Sequence, residues 1–245
     1  MSKENSRTQQ CSKDHGCGRS HWIRIVDVVA VHVHGVLLAS LLLRIGAAAQ
    51  DTSSWLVFAF ALFPGYLFAD FASGLVHWFC DTFFEERTPL LGKLLIQPFR
   101  EHHRDPQAIT RHGFFELSGN NCLAMIPLLF FAWWAEGPTA GSTLSLFAHS
   151  FLFTVALAIF ATNQFHQWAH AEKVPRVVRS MQRTRLILSP TSHDLHHRDD
   201  HSQAYCITTG WMNYFLDHIE FFRRLEQGIR AKQRSTRKTS STPTD

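Results

Sequence analysis

The stretch WLVFAFALFPGYLFADFASGLV, residues 55–76, is apolar almost throughout, carries one carboxylate at Asp70, and runs directly into His77. At a rise of about 1.5 Å per residue, ~20 residues cross the ~30 Å hydrocarbon layer of a bilayer. The segment is therefore long enough to span a membrane, and a histidine follows at its edge. Three more apolar blocks lie at about 28–49, 119–135 and 143–162. The third is short, contains Pro127, and reaches spanning length only with polar residues 119–121 included. Over the 245 residues the mean hydropathy is only -0.09, because it averages these blocks with polar segments that hold almost every charge and most of the 16 His. A uniform globular domain is thereby excluded, and a chain with 21 Phe and 7 Trp is not a disordered one. Five Cys, odd in number and irregularly spaced, argue against a disulfide-stapled secreted protein and for reduced thiols facing a cytosol.

Only residues 50–54 separate blocks one and two, and 136–142, without Lys or Arg, separate three and four. Of the 24 basic residues, five precede block one, five lie between blocks two and three, thirteen follow block four, and Arg44 stands alone. The positive-inside rule then puts both termini and the central loop in the cytosol. The expected fold is all-α: an integral membrane protein with four transmembrane helices in two hairpins and a cytosolic His-rich helical cap. Its domains would be a cytosolic tail over 1–26 without a signal-peptide pattern, a membrane domain over 27–232, and a disordered polar tail over 233–245. Within the cap, residues 175–188 interleave Val177, Val178, Met181, Leu186 and Leu188 with four Arg, which fits a helix lying on an anionic membrane or one packed on its own domain. Leu216, Ile219, Phe222, Leu225 and Ile229 form a second helical stripe of core character.

This topology gives the histidines meaning. His77 ends block two, His102 and His103 lie in the central loop, His166 and His170 follow block four, and His193, His196 and His197 come after them. Spacings of three and four residues set the rings of each helical pair on one side. A lone HxxxH is common on solvated helices, but four separate stretches delivering imidazoles to one face of the membrane point to a metal centre. Eight imidazoles are too many for one Zn²⁺, and no paired Glu-x-x-His motifs are present for a carboxylate-bridged bundle. A His-dominated di-iron site with open positions for O₂ remains. Haem would need ligands within the bilayer, where only His32, His34 and His149 lie. Asp81, one turn after His77, and Asp194 are candidates to orient the rings, Asp199 and Asp200 more for solvation. For Asp70, ring orientation and a helix-packing hydrogen bond are both open. Cys11, His15, Cys17 and His21 hold zinc-type atoms at a spacing unlike known fingers, so chance is favoured.

The motifs GLVHWFCDT (74–82), FREHHRDPQAITRH (99–112), GNNC (119–122), NQFHQWAH (163–170), SHDLHH (192–197) and CITTGWMN (206–213), in this order, resemble the Kua/CarF-type plasmanylethanolamine desaturases. The resemblance covers about 70–225. It implies an iron-dependent membrane desaturase that turns the 1-O-alkyl ether of plasmanylethanolamine into the vinyl ether of a plasmalogen. O₂ is the cosubstrate, and electrons come from cytochrome b5 or an equivalent donor. Phosphatidylglycerol-type acyl-lipid desaturases share the His plan, so an acyl-lipid desaturase or hydroxylase is the enzymatic alternative, and a His-rich metal carrier or sensor the non-enzymatic one. Where the last family box opens with paired His, this chain has Ser192, which makes His112 and His201 candidates for an additional ligand or a supporting group. Arg100, Arg104 and Arg111 suit a lipid phosphate or an acidic donor, or simply the topology rule. The host membrane would be the endoplasmic reticulum in a eukaryote or the inner membrane in a bacterium, and no nucleic-acid partner is expected.

Overall fold

The structure, a computed structural model, describes residues 20–89, 92, 96–135, 137–139, 141–198 and 201–239. Its elements are α1 (His21–Ala48), α2 (Thr52–Phe83), α3 (Gln97–Arg104), a 3-10 turn (Ala108–Arg111), α4 (Phe114–Trp134), α5 (Thr143–His170), α6 (Arg176–Arg183), α7 (Pro190–His197), α8 (Trp211–His218) and α9 (Phe221–Thr239). No strand occurs among the described residues. Local chemistry sets the starts of the helices. Asp51 Oδ1 accepts from the Ser54 amide at 2.8 Å to open α2, and Ser142 Oγ from the Ser145 amide at 3.3 Å to open α5. Ser189 Oγ does the same for Ser192 at 3.2 Å, with Pro190 as the first residue of α7.

Four helices, α1, α2, α4 and α5, have the length and apolarity to cross a membrane. The short third block is resolved by α4 starting at Phe114, so that its 21 residues extend about 31 Å. At 32 and 28 residues, α2 and α5 extend about 48 and 42 Å, well beyond the hydrocarbon thickness. Their C-terminal turns carry His77, Asp81, His166 and His170 past the apolar windows. Side by side, α1 packs mainly on α4 and α2 on α5, while α4 and α1 also meet α5. Connected helices are thus not the most closely packed pairs. α5 is the most buried of the four, and Leu41, Ile45, Leu129, Val155 and Ala156 fill the core at the bundle end remote from the histidines.

The polar half is fixed to α2 by one buried carboxylate. Asp70 Oδ1 accepts from the backbone amides of Thr208, Thr209 and Gly210 at 3.1, 2.7 and 3.0 Å, and Oδ2 from that of Met212 at 3.0 Å. The four donors are the unpaired N–H groups before and within the first turn of α8, where an anion is favoured. Of the two expected roles for Asp70, packing is the one observed. Gly210 takes φ +77° at the helix entry, and Gly74 lets the segment press against α2: a Cβ there would stand 2.4 Å from Cys206 Sγ. α6 buries Val178 and Gln182 on its own domain while Val177 stays exposed. The second stripe is two helices rather than one, broken at Glu220 with φ +53°. Leu216 and Phe222 nevertheless pack with Trp78 and Tyr205 as core. α9 continues to Thr239, across the first residues of the stretch expected to be disordered, because the helix seeded by that packing propagates into Lys- and Arg-rich residues of good helix propensity. The remainder of that tail and residues 1–19 lie outside the described residues.

Asp70→Ala leaves four backbone donors without their acceptor, and thermal unfolding in detergent should show a loss of at least about 2 kcal/mol. Asp70→Asn, which keeps one acceptor oxygen, should recover part of it. An alanine variant as stable as the parent would contradict the anchoring role.

Candidate metal centre

The overhanging ends of α2 and α5, the loop helix α3 and the short helix α7 meet at one end of the bundle. All eight predicted imidazoles come together there, in two groups. His102, His166, His170, His193 and His197 form the first, and His77, Asp81, His103 and His196 the second; within each, one donor atom per residue lies within 4.8 Å of every other. Helical geometry makes the division. His166 and His170, and His193 and His197, are one turn apart and share a group, whereas the neighbours His102 and His103 point into different ones.

In the first group Nε2 of His166 lies 2.9 Å from that of His102 and 2.8 Å from that of His193, and Nε2 of His197 lies 3.0 Å from each of the same two. Hydrogen bonding accounts for only part of this cluster, since the buried Nδ1 atoms of His102 and His193 have no partner. A protonated Nε2 has no lone pair left to accept with, so at most two of the four contacts can be hydrogen bonds. Edges of 2.8–3.0 Å can surround a point about 2 Å from each nitrogen, the length of a metal–imidazole bond. His170 Nε2 is buried nearby without a hydrogen-bond partner. The donor set fits a metal ion with four or five imidazole ligands.

The second group carries its own orienting contacts. His77 Nδ1 donates to the Tyr205 carbonyl at 3.1 Å and His196 Nδ1 to the Gln203 carbonyl at 2.8 Å. A carbonyl only accepts, so both rings hold their proton on Nδ1 and present a bare Nε2. These nitrogens face Asp81 Oδ2 at 3.4 and 3.8 Å, and His103 Nε2 lies 3.7 Å from the same oxygen. His77 Nε2 and both Asp81 oxygens are buried with no hydrogen-bond partner. His103 Nε2 also lies 3.0 Å from His196 Nε2, and the bare His77 Nε2 facing the unpartnered Asp81 oxygens leaves a place that suits a cation, with Asp81 positioned to join the imidazoles around it. Burial first, and neighbouring imidazoles after it, hold His102 and His193 well below the usual histidine range, His103 and His196 at about 3 and His197 at about 4. The rings are therefore neutral, as a ligand must be.

The remaining predicted residues lie around this centre. His201 stacks on His103 with ring centroids 4.3 Å apart, outside both donor groups. His112 pairs with Glu116 at 2.9 Å and stays off the ligand set. Both residues line a cavity of about 100 Å³ together with Ile109, Leu117, His102 and His166, so this space opens onto the first group. Asp194 does not orient a ring: one residue from His193 on an eight-residue helix, it turns outward and pairs with Arg198 at 2.6 Å. Arg100 donates to the carbonyls of Asp81 at 2.8 Å and Phe84 at 3.1 Å, holding the C-terminal end of α2. Arg104 pairs with Glu86 at 2.6 Å and Arg111 with Asp105 at 2.5 Å, both more than half exposed. His34 stacks on Phe160, and the His32 and His149 rings donate to backbone carbonyls one turn back, as structural groups do. Cys11, His15, Cys17, Asp199 and Asp200 lie outside the described residues. The carbonyls of Gln203 and Tyr205 escaped the sequence reading because every residue has a carbonyl and nothing in a side chain marks one that will orient a ring.

Comparison with known proteins gives a match to the lipid desaturase domain over residues 66–239. Plasmanylethanolamine desaturase of Myxococcus xanthus is 42% identical over 212 residues, 86% of this chain and 74% of that protein. Plasmanylethanolamine desaturase 1 of Mus musculus is 45% identical over 169 residues, 67% of this chain and 62% of that protein, so the chain spans just under two thirds of the mouse relative. The chloroplastic fatty acid desaturase 4 of Arabidopsis thaliana is 35% identical over 170 residues, 69% of this chain and 50% of that protein. No solved structure matches the chain.

The lowered protonation of His102, His103, His193, His196 and His197 fixes a sign. Folded, these rings bind protons less readily than the unfolded chain with its ordinary value of 6.5, so stability rises with pH across the window between. Metal-free protein should show a melting temperature that falls steadily from about pH 7 to about pH 4. A flat profile would mean that the rings are not held neutral by the fold.

Proposed function

The chain belongs to the lipid desaturase family, and from that premise we propose that it is an O₂-dependent di-iron oxidoreductase that converts 1-O-alkyl ethanolamine phospholipid into the 1-alkenyl plasmalogen. The observation that carries the reading is the pair of His-rich donor groups at the end of a membrane bundle, in a chain 42% and 45% identical to two relatives named for this activity. The lower identity of 35% to the plant fatty acid desaturase sets the acyl-lipid alternative second.

The reaction balances as one alkyl ether –O–CH₂–CH₂– plus O₂, two electrons and two protons, giving –O–CH=CH– and two waters. Bound iron would activate O₂, the oxidant, for an unactivated C–H bond that acid–base side chains cannot break. The chain's own residues do the remainder. His102, His166, His170, His193 and His197 hold one ion, and His77, Asp81, His103 and His196 the other. The carbonyls of Tyr205 and Gln203 keep the protons of His77 and His196 on Nδ1 and their Nε2 lone pairs forward. Ile109, Leu117 and Phe99 give the cavity beside His102 and His166 apolar walls, which exclude water and seat the alkyl segment. A target just below the lipid headgroup suits a centre at the membrane edge. In this reading that edge and both termini are cytosolic, which the distribution of basic residues supports, and cytochrome b5 or an equivalent carrier supplies the electrons.

Lipid mass spectrometry of cells with and without the protein tests the reading: alkyl ethers should convert to alkenyl ethers, with acyl phospholipids unchanged. His170→Ala and His196→Ala should each lose at least ~100-fold of the product and lower the iron per chain while inserting normally, as removing a ligand does. Retained product in both would refute the assignment. Ile109→Trp, filling the cavity, should lower kcat/KM for the alkyl lipid about tenfold or more with iron content unchanged; unchanged kcat/KM would move the substrate elsewhere.

A further inference from the structure

The proposed reaction needs two electrons per turnover from outside, and in the second donor group His77 and His196 are buried while Asp81 and His103 are partly exposed. The two buried rings are reached through an aromatic contact. The Tyr205 ring lies 5.7 Å from that of His77 and 5.2 Å from that of His196, between centroids, and Phe222 lies 5.0 Å beyond it. Phe222 is the second residue of α9, buried at 3% exposure, but the next two side chains, Arg223 and Arg224, are 63% and 71% exposed. Two rings in series, Phe222 and Tyr205, therefore lie between a charged surface and the rings of His77 and His196.

The charge of that surface is one-sided. From Glu220 to Arg234 there are five basic residues and two acidic ones. Arg223, Arg230 and Arg234 recur at i, i+7 and i+11, a single stripe along the helix. Glu220 pairs with Arg223, and Glu226 with Arg230 at 2.7 Å, which leaves an excess of positive charge. The apolar side of the same helix is already used: Phe221, Phe222, Leu225 and Ile229 pack with Trp78 and Tyr205. A helix that lies in a lipid surface needs a free apolar face, and α9 has none, unlike α6 with Val177 exposed. A basic, polar face complements an acidic protein and would speed its encounter.

We propose that the outward face of α9 docks an acidic one-electron carrier protein, and that its electrons enter through the Phe222 and Tyr205 rings to the group of His77, Asp81, His103 and His196. The site deepens the desaturase reading and rests on it.

The test uses the full-length, iron-loaded protein in nanodiscs of phosphatidylcholine, with the reduced haem domain of cytochrome b5 as probe and reduced duroquinone as an uncharged small reductant. For Arg223→Glu/Arg224→Glu/Arg234→Glu we expect kcat/KM for the haem domain to fall at least tenfold at low ionic strength and its salt dependence to flatten. Iron content and turnover on duroquinol should not change. Tyr205→Leu should lower kcat at saturating haem domain without raising its KM, and Tyr205→Phe, which keeps the ring, should restore it. An unchanged kcat/KM in the triple variant overturns the docking site while turnover on duroquinol leaves the desaturase reading standing. An effect seen only when phosphatidylserine is added to the discs also overturns it, since α9 then faces lipid. No alkenyl product from the parent protein with either reductant overturns both.

Discussion

Everything at the polar end of this molecule depends on one constraint: nine side chains crowd their nitrogen and oxygen donor atoms together, five of them from buried positions. Four imidazole nitrogens in a ring with edges of 2.8–3.0 Å can form at most two hydrogen bonds among their four contacts, and the buried Nδ1 atoms of His102 and His193 and Nε2 of His170 beside them have none. A carboxylate facing three imidazole nitrogens at 3.4–3.8 Å is in a similar position. Such an array is unstable without a positive charge between its members. The fold must therefore hold it together from outside, by contacts that do not use the donor atoms.

Those contacts form a chain running back to α2. Asp70 gathers the amides of residues 208–212, Gly74 lets Cys206 approach, and the same segment then offers its Tyr205 and Gln203 carbonyls to His77 and His196. Arg100 closes the C-terminal end of the helix beside Asp81. A carboxylate at the membrane edge, costly on its own, is offset here by four amide donors that would otherwise go unpaired. The neutral state of the rings has the same origin, since burial opposes the imidazolium.

Helix length links the membrane to the chemistry. Because α2 and α5 outlast the hydrocarbon layer, their last turns rise into a polar layer while still rigidly continuous with the apolar core. Ligands on such extensions are positioned by the packing of the whole bundle, where α5 is the most buried helix. The cavity beside His102 and His166 sits where the 3-10 turn, α3, α4 and α5 converge, which puts an apolar space next to one ligand group and a basic surface near the other.

Hydropathy and charge are properties of each residue taken singly, so the amino-acid sequence alone determined the four crossing segments, their polar connections and the delivery of His77, His102, His103, His166, His170, His193, His196 and His197 to one end of the bundle. Relations between distant residues are another matter. The division of the eight rings into five and three, the place of Asp81 beside the second group and the turning away of Asp194 depend on where each side chain points across packed helices, which spacing along one helix does not specify. The pairing of α1 with α4 and α2 with α5, the bond from Asp70 to α8 and the orienting carbonyls were likewise decided in three dimensions, because a backbone group becomes a specific partner only when packing brings it within hydrogen-bonding reach.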